Sequence, residues 1–215
     1  MKRFNDCFWT LLFAAAAVGF ALTAHRDAWM AWRWAFLALA GVGLCGGWVV
    51  LEDPIGTIFG KPRASHFGWW IAFAVVLAVL AAVAYRRLLG EEYFPSSLHW
   101  FALVAVGIGA IEELLWRGWM QGALAKTLGS AAAMLAAAGS HAAYKTALFV
   151  FPPDGVARQT PGALLFIAGV TFSFGAVLGL IRLRQGTIAA PMAFHTLFDL
   201  LVYGQCASAP WWVWQ

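Results

Sequence analysis

The chain alternates between long apolar runs and short polar connections, and this alternation predicts its helices. A helix that crosses a bilayer needs about 20 predominantly apolar residues. Seven runs approach or reach that length, at 7–24, 34–51, 69–85, 100–124, 130–151, 162–181 and 187–203. The expected fold class is therefore all-α, a polytopic membrane helix bundle of about seven transmembrane helices.

The first run resembles a signal peptide, but cleavage after Ala24 would place the bulky Leu22 where a small residue is required. We therefore expect a retained first span. Polar connections are predicted at 52–68, 152–155 and 182–186. Glycines four residues apart predict close helix packing within three of the runs. These pairs are Gly43 and Gly47, Gly118 and Gly122, and Gly175 and Gly179.

Composition places the chain in the membrane class and limits its partners. It is 62% hydrophobic and 11% charged, about half the charged fraction of a soluble domain. We expect one integral membrane domain, residues 1–215, whose surroundings are the lipid bilayer. The basic residues lie scattered between apolar runs, which predicts a role in membrane topology and no nucleic-acid partner. With seven spans, one side would hold Lys2, Arg3, Lys61, Arg63, Lys126, Arg182 and Arg184, and the other Arg26, Arg33, Arg86, Arg87 and Arg158. This distribution slightly favours a cytoplasmic N-terminus.

Two adjacent carboxylates and an arginine interrupt the fourth run, at Glu112, Glu113 and Arg117. Ionisable groups inside membrane segments are costly, rare, and usually paired and functional. Glu113 and Arg117 are four residues apart with the acid first, the favourable order for a pair on one helix face. Glu112 is rotated away from that face, so we expect it to stay free for chemistry. The alternative for this stretch is a helix end that extends its charges into the headgroups.

Polar residues also lie within two other apolar runs, at His141, His195 and Asp199. His195 and Asp199 are four residues apart and so share a helix face. A single membrane histidine is more often a hydrogen-bond partner between helices than a catalyst. Two histidines and three carboxylates on three spans together favour general acid–base catalysis. Lys145, near the end of the fifth run, is expected to extend to the headgroups.

In these residues the chain resembles the CAAX protease and bacteriocin-processing (CPBP) family of intramembrane proteases, which includes the type II CAAX prenyl endopeptidases. The first family motif, two glutamates with an arginine four after the second, is intact at 112–117. The third, a histidine followed four later by asparagine or aspartate, is present as His195 and Asp199. In the second motif a phenylalanine precedes a histidine by four, whereas here Ala137 precedes His141. The resemblance covers residues 100–203, the expected catalytic core.

The resemblance implies peptide hydrolysis within the membrane, with a site formed by Glu112, Glu113, Arg117, His141, His195 and Asp199. In the mechanism that we favour, Glu112 is the general base for a water that His141 holds. The pair of Glu113 with Arg117 fixes the geometry. His195 and Asp199 face the carbonyl oxygen and stabilise the oxyanion. This mechanism needs no cofactor.

A zinc-dependent mechanism is the alternative, with Glu112, His141, His195 and Asp199 as metal ligands that activate the water. The sequence lacks the His-Glu-x-x-His spacing of a zinc-binding helix, which favours the glutamate mechanism.

The expected substrate is a membrane-anchored or lipidated protein or peptide, and the expected location is a prokaryotic cytoplasmic membrane. Nothing in the sequence demands a prenyl group. Two other functions stay open. Ala137 gives some weight to a non-catalytic immunity or scaffolding protein of the same fold, whereas the retained glutamates, arginine and histidines argue against it. A transporter with a proton relay is disfavoured because no broken-helix repeats occur in corresponding halves.

Overall fold

The computed structural model describes residues 2–62 and 67–212, and the regular elements in this part of the chain are helical. The α-helices are α1 (Lys2–Thr23), α2 (Met30–Val50), α3 (Pro54–Phe59), α4 (Phe67–Leu88), α5 (Phe101–Glu112), α6 (Gln121–Leu128), α7 (Ser130–Val150), α8 (Pro161–Gln185) and α9 (Ala189–Tyr203). A π-helix, Glu113–Met120, joins α5 to α6, and a 3₁₀ turn, Asp27–Trp29, precedes α2. The predicted all-α class is confirmed.

Several helices have the length and surface of membrane segments. Three helical stretches in the described residues are long and apolar enough to cross a bilayer: Asp27–Val50, Phe67–Leu88 and Pro161–Gln185. Cys7–Thr23 and Ala189–Tyr203 are shorter apolar helices. Large apolar side chains such as Trp69, Leu103 and Leu165 are exposed on the outer surface, as contact with lipid requires. The chain is an integral membrane protein, and the number of crossings stays a prediction.

The predicted orientation also stays a prediction. It depends partly on Lys2 and Arg3, whose side chains lie outside the described part of the chain, and on Arg63, which lies outside it entirely.

Two apolar clusters form the core. The first joins α1, the π-helix, α6 and α7, with Phe13, Trp116 and Leu124 among its buried members. The second joins α4, α8 and α9 around residues such as Ala78 and Phe194. The two meet where α8 packs on α7 and where the π-helix contacts α9. The polar residues predicted to form a site come from α5, the π-helix, α7 and α9, so the fold brings them to this junction.

The predicted glycine pairs lie where helices approach closely. A Cβ placed on Gly175 would lie 3.1 Å from the Cβ of Ala138 on α7, and one on Gly179 would lie 2.6 Å from Met134 Cγ. A Cβ on Gly43 would lie 3.1 Å from the Cβ of Phe13 on α1. Larger residues would separate these helices, which confirms the packing role predicted for these glycines.

Three local predictions are wrong. The fourth run is not one α-helix, because its centre is the π-helix. The predicted connection at 52–68 contains α3, whose first turn is capped by Asp53: its carboxylate accepts a hydrogen bond from the Gly56 amide at 2.8 Å. The predicted turn at 182–186 is mostly helix. It continues α8 to Gln185, and the chain then reverses at Gly186, which has a φ of 85°.

Two arginines counted as topology determinants are buried. Arg182 Nη2 donates to the carbonyl oxygen of Thr57 at 2.6 Å and ties α8 to α3. Arg86 is fully enclosed at the end of α4. Both therefore hold the bundle together in addition to any effect on topology.

Candidate active site

The two glutamates lie at the boundary between α5 and the π-helix. Glu112 ends α5, Glu113 begins the π-helix, and both side chains are buried. π-Helical segments recur at functional sites. Although the segment is not α-helical, Arg117 Nη1 lies 3.1 Å from Glu113 Oε1, so the predicted ion pair is confirmed.

Arg117 also sets the protonation of His141. Its Nη1 lies 2.9 Å from His141 Nδ1. A guanidinium has hydrogen-bond donors and no acceptor, so Nδ1 must accept this bond and carries no proton. The proton of the imidazole is then on Nε2, which lies 3.2 Å from Glu112 Oε2 and donates to it. Arg117 thereby selects the tautomer that contacts Glu112.

Glu113 orients the second histidine. His195 Nδ1 lies 2.8 Å from Glu113 Oε1 and donates to that carboxylate oxygen. The other ring nitrogen, Nε2, lies 3.7 Å from Glu112 Oε2 and 3.8 Å from Asp199 Oδ2. Both distances are too long for direct hydrogen bonds. His195 Nε2 is therefore placed between two carboxylates and can contact a water or a substrate.

Aromatic rings hold His141 in place although the family phenylalanine is absent. Trp116 stacks on the imidazole with ring centroids 5.5 Å apart and planes inclined by 25°. The ring of Tyr144 also stacks on the imidazole, with ring centroids 6.5 Å apart and planes inclined by 19°. Ala137 is buried one turn before His141 and presents no ring. Trp116 and Tyr144 thus supply aromatic contacts to the histidine of the second motif.

Lys145 corrects two predictions. Its Nζ lies 2.5 Å from Glu112 Oε1, so the side chain turns into the site and does not extend to the headgroups. Glu112 is in turn not free, because Lys145 contacts one of its oxygens and His141 the other. The sequence signal that could have found this contact is the four-residue spacing of His141 and Lys145, which places both on one face of α7.

Two glycines make room for the cluster. A Cβ on Gly109 would lie 2.7 Å from Asp199 Oδ2 and 3.3 Å from His195 Cδ2. A residue without a side chain is therefore needed at this point of α5 for α9 to pack as closely as it does. A Cβ on Gly175 would lie 3.0 Å from Arg117 Nη2. Gly109 was not singled out in the sequence, and its role follows from the packing.

The cluster borders a largely apolar cavity of about 270 Å³. Six acidic or basic residues line it: Glu112, Arg117, His141, Lys145, His195 and Asp199. Glu113 is enclosed behind them. Aromatic side chains form much of the remaining wall: Tyr85, Phe101, Phe149, Phe166, Phe174, Phe194, Phe198, Tyr203 and Trp212. The site therefore combines a charged wall with space for an apolar group.

The predicted zinc ligands do not form a metal site in this arrangement. Structural and catalytic zinc needs three or four donors that converge on one point. Among residues 2–62 and 67–212, no group of three or more His, Cys, Asp or Glu is arranged in that way. His141 Nδ1 faces Arg117 and Glu112 Oε1 faces Lys145, so these two residues would offer a metal only His141 Nε2 and Glu112 Oε2. Whether activity depends on a metal stays a prediction.

Comparison with protein families agrees with the motifs. The family model described as type II CAAX prenyl endopeptidase Rce1-like matches residues 94–201, about half of the chain. The match contains the six predicted site residues and Lys145. No curated protein and no solved structure matches the chain.

Proposed function

The chain belongs to the family of type II CAAX prenyl endopeptidases, which makes it a CAAX-type intramembrane protease in general, and we propose that Glu112 and His141 activate the hydrolytic water. The substrate in this proposal is a membrane-anchored or lipidated protein or peptide. The observation that carries it is the contact of Glu112 with His141, 3.2 Å long, at the wall of an apolar cavity. A carboxylate and an imidazole there are suited to general acid–base catalysis.

The reaction begins with a water between Glu112 and the scissile carbonyl group. Glu112 removes a proton from the water while the water oxygen bonds to the carbonyl carbon, and a tetrahedral oxyanion forms. Glu112 then gives that proton to the departing nitrogen. The carbon–nitrogen bond breaks, and a carboxylic acid and an amine leave. Holding the water beside its base and the carbonyl accounts for part of the rate, because the reactants no longer have to find each other.

In this proposal His195 and Asp199 stabilise the oxyanion. His195 Nε2 and Asp199 Oδ2 lie 3.8 Å apart on the same face of α9 and border the cavity. Each donates a hydrogen bond when it carries a proton. Donors aimed at a developing oxyanion are typically worth several kcal/mol in the transition state, about 2.7–4 for one donor in a serine protease.

Glu113 and Arg117 act as positioning residues. Arg117 holds His141 in the tautomer that donates to Glu112, and Glu113 holds His195 with Nε2 towards the cavity. Partners of this kind orient catalytic imidazoles without contacting the substrate.

The aromatic walls support an apolar substrate group in the cavity, such as a lipid anchor or the apolar residues beside the scissile bond. A prenyl group is one such anchor. We expect the protein to act as a multi-pass protein of a prokaryotic cytoplasmic membrane.

Cleavage of a lipidated peptide by the full chain in lipid vesicles tests the proposal. Glu112→Gln should lower kcat by about 10²–10⁴-fold because an amide cannot accept the proton. Glu92→Gln, at an exposed glutamate, is the matched control and should cleave normally. Normal turnover by Glu112→Gln would remove Glu112 as the base. A folded wild-type protein that cleaves no lipidated or membrane-anchored substrate would favour the immunity or scaffolding function.

Removal of metal separates the two mechanisms. Because no step of the glutamate mechanism uses a metal, dialysis of the protein against a strong chelator should leave kcat/KM unchanged. Loss of activity that zinc restores and magnesium does not would instead establish the zinc mechanism.

A further inference from the structure

A row of three buried polar side chains runs along the π-helix to the start of α6. Glu113, Arg117 and Gln121 follow each other at intervals of four residues, and at most 1% of each residue is exposed. Arg117 borders the cavity, whereas Glu113 and Gln121 lie outside its lining. The polar row therefore leads from the catalytic wall into the interior of the protein, and Gln121 has no part in the hydrolytic steps.

Each side chain of the polar row has one atom that lacks a partner. Glu113 Oε2, Arg117 Nε and Gln121 Oε1 are enclosed and have no hydrogen-bond partner within residues 2–62 and 67–212. The neighbouring atoms are engaged. Glu113 Oε1 contacts Arg117 and His195, and Gln121 Nε2 donates to the carbonyl oxygen of Gly179 at 3.1 Å. A buried polar atom without a partner is unfavourable, so three in one row require an explanation.

The three atoms match the hydrogen bonds of one water molecule. The carboxylate oxygen and the amide oxygen accept hydrogen bonds, whereas Arg117 Nε donates one. A water donates two hydrogen bonds and accepts others, and a buried water typically makes about three to groups that are otherwise unsatisfied. The opposite charges of Glu113 and Arg117 favour a neutral ligand over a metal ion or an anion.

The packing of α8 keeps its own side chains away from the polar row. A Cβ on Gly175 would lie 3.0 Å from Arg117 Nη2, and one on Gly179 would lie 3.1 Å from Gln121 Oε1. Glycines four residues apart share a helix face. Arg117 and Gln121 therefore lie beside the same face of α8, and a side chain at either glycine would take up the space next to their polar atoms.

We propose that Glu113 Oε2, Arg117 Nε and Gln121 Oε1 bind one buried water, and that Gln121 is a positioning residue of the catalytic wall. The water and Gln121 hold Glu113 and Arg117, which in turn orient His195 and His141. The expected effect on cleavage rests on the proposed function, whereas the water site itself does not.

A crystal structure of the full chain, at a resolution that shows ordered waters, tests the site directly. In the wild type one water should lie within about 2.7–3.2 Å of all three atoms. Gln121→Met has a side chain of similar length without polar hydrogen-bonding atoms, and it should lose this water. Direct contacts among the three atoms without a water, or a water that stays unchanged in Gln121→Met, would overturn the proposal.

Nuclear magnetic resonance of the histidine ring nitrogens and kinetics measure the positioning effect. In Gln121→Met the signal of His195 Nδ1, which reports its bond to Glu113, should shift. The kcat should fall about tenfold, as expected for one lost hydrogen bond. KM should stay unchanged because Gln121 does not line the cavity. Gln121→Glu keeps an acceptor oxygen in either protonation state and should retain the water, the signal and most of kcat.

Gln205→Met is the matched control. Gln205 Oε1 accepts a hydrogen bond from Arg86 Nη2 at 3.0 Å, outside the cavity lining. This variant should lower thermal stability and leave kcat and the His195 signal unchanged. Gln121→Leu repeats the test if Gln121→Met is unfolded, and the wild-type crystal structure decides on the water in either case.

The outcomes separate this inference from the proposed function. A Gln121→Met protein that melts at a lower temperature but keeps the His195 signal and kcat would show that Gln121 is only structural, which overturns its positioning role. A water at the three atoms and a shifted His195 signal, in a wild-type protein that cleaves no substrate, would support the inference and contradict the proposed function.

Discussion

Arg86 and Arg117 are both buried arginines within apolar helices, but their partners differ in kind. Arg86 lies at the end of α4 with none of its side chain exposed. Four of its hydrogen bonds go to backbone carbonyl oxygens, those of Glu92, Phe94, Leu201 and Val202. The others go to side-chain oxygens of Gln205 and of Glu91, the latter at 3.0 Å.

Arg117 contacts ionisable side chains that in turn contact other ionisable side chains. Its Nη1 serves both Glu113 and His141. Through them it reaches His195 and Glu112, and the group borders a cavity. Two buried atoms of this pair, Glu113 Oε2 and Arg117 Nε, have no hydrogen-bond partner within the described residues.

The comparison distinguishes structural from functional burial of charge. Backbone carbonyls neither titrate nor move independently, so the donors of Arg86 lock one loop and one helix end together. The partners of Arg117 can exchange protons and can be approached from the cavity. A buried charge therefore indicates a reactive site when its partners are titratable and border open space.

Removal of Arg117 should have the largest combined effect. Arg117→Ala leaves Glu113 as a buried charge with one fewer partner, and breaking such a pair costs about 3–5 kcal/mol of stability. It also frees His141 to adopt the other tautomer, so cleavage should be lost as well. Thermal melting in detergent and kcat measure the two effects.

Arg117→Lys is the matched control, because it retains the charge but loses the guanidinium that donates to both Glu113 and His141. It should recover stability more than activity. Wild-type stability in Arg117→Ala would show that the ion pair contributes little.

Removal of Arg86 should affect stability alone. Arg86→Ala leaves several buried carbonyl oxygens without donors, and we expect a loss of about 3–5 kcal/mol in the free energy of unfolding. The kcat per folded molecule should stay unchanged, because Arg86 lies outside the cavity lining. Thermal melting in detergent and kcat again measure the two quantities.

The neighbouring Arg87 is exposed and contacts the ring of Tyr93 at 4.9 Å. Arg87→Ala should therefore change stability by less than about 1 kcal/mol. If Arg86→Ala lowers kcat of the folded protein as strongly as Arg117→Ala does, the distinction between the two arginines is wrong.

The sequence predicted the parts of this site that depend on spacing along one helix. The pair of Glu113 with Arg117 and the shared face of His195 with Asp199 follow from four-residue spacing. Contacts between helices were not predictable, because they depend on how α7 and α9 dock. The spacing of His141 and Lys145 indicated a shared face of α7 but not what that face contacts, so Lys145 was assigned to the headgroups.

The same limit applies to backbone and burial. No residue pattern predicted the π-helix. The all-α class was predicted from the lengths of the apolar runs alone. The burial of Arg86 was not predicted, because two of its carbonyl partners, Leu201 and Val202, come from a distant part of the chain. The apolar runs and the motifs can be read from the local sequence. The hydrogen-bond partners of a buried charge are determined by how the helices of the bundle pack.

The structure narrows the possible roles of Asp199. An aspartate that fixed the tautomer of His195 would contact Nδ1, but Glu113 occupies that nitrogen at 2.8 Å. Asp199 instead lies 3.8 Å from Nε2, on the cavity side. The remaining role in the glutamate mechanism is donation of a hydrogen bond to the oxyanion. An aspartate donates only when protonated, whereas an asparagine donates at every pH.

Asp199→Asn should therefore keep kcat/KM within about tenfold of the wild type, whereas Asp199→Ala should lose about 10²–10³-fold, as loss of an oxyanion donor does. Glu113→Gln is the matched comparison for tautomer control and should lose more, by analogy with the roughly 10⁴-fold loss for the serine-protease triad aspartate. A pH series of kcat/KM adds a second readout. Because its amide cannot lose a proton in this range, Asp199→Asn should decline less at high pH than the wild type. Equal inactivity of the asparagine and alanine variants would exclude the oxyanion role and favour metal ligation by Asp199.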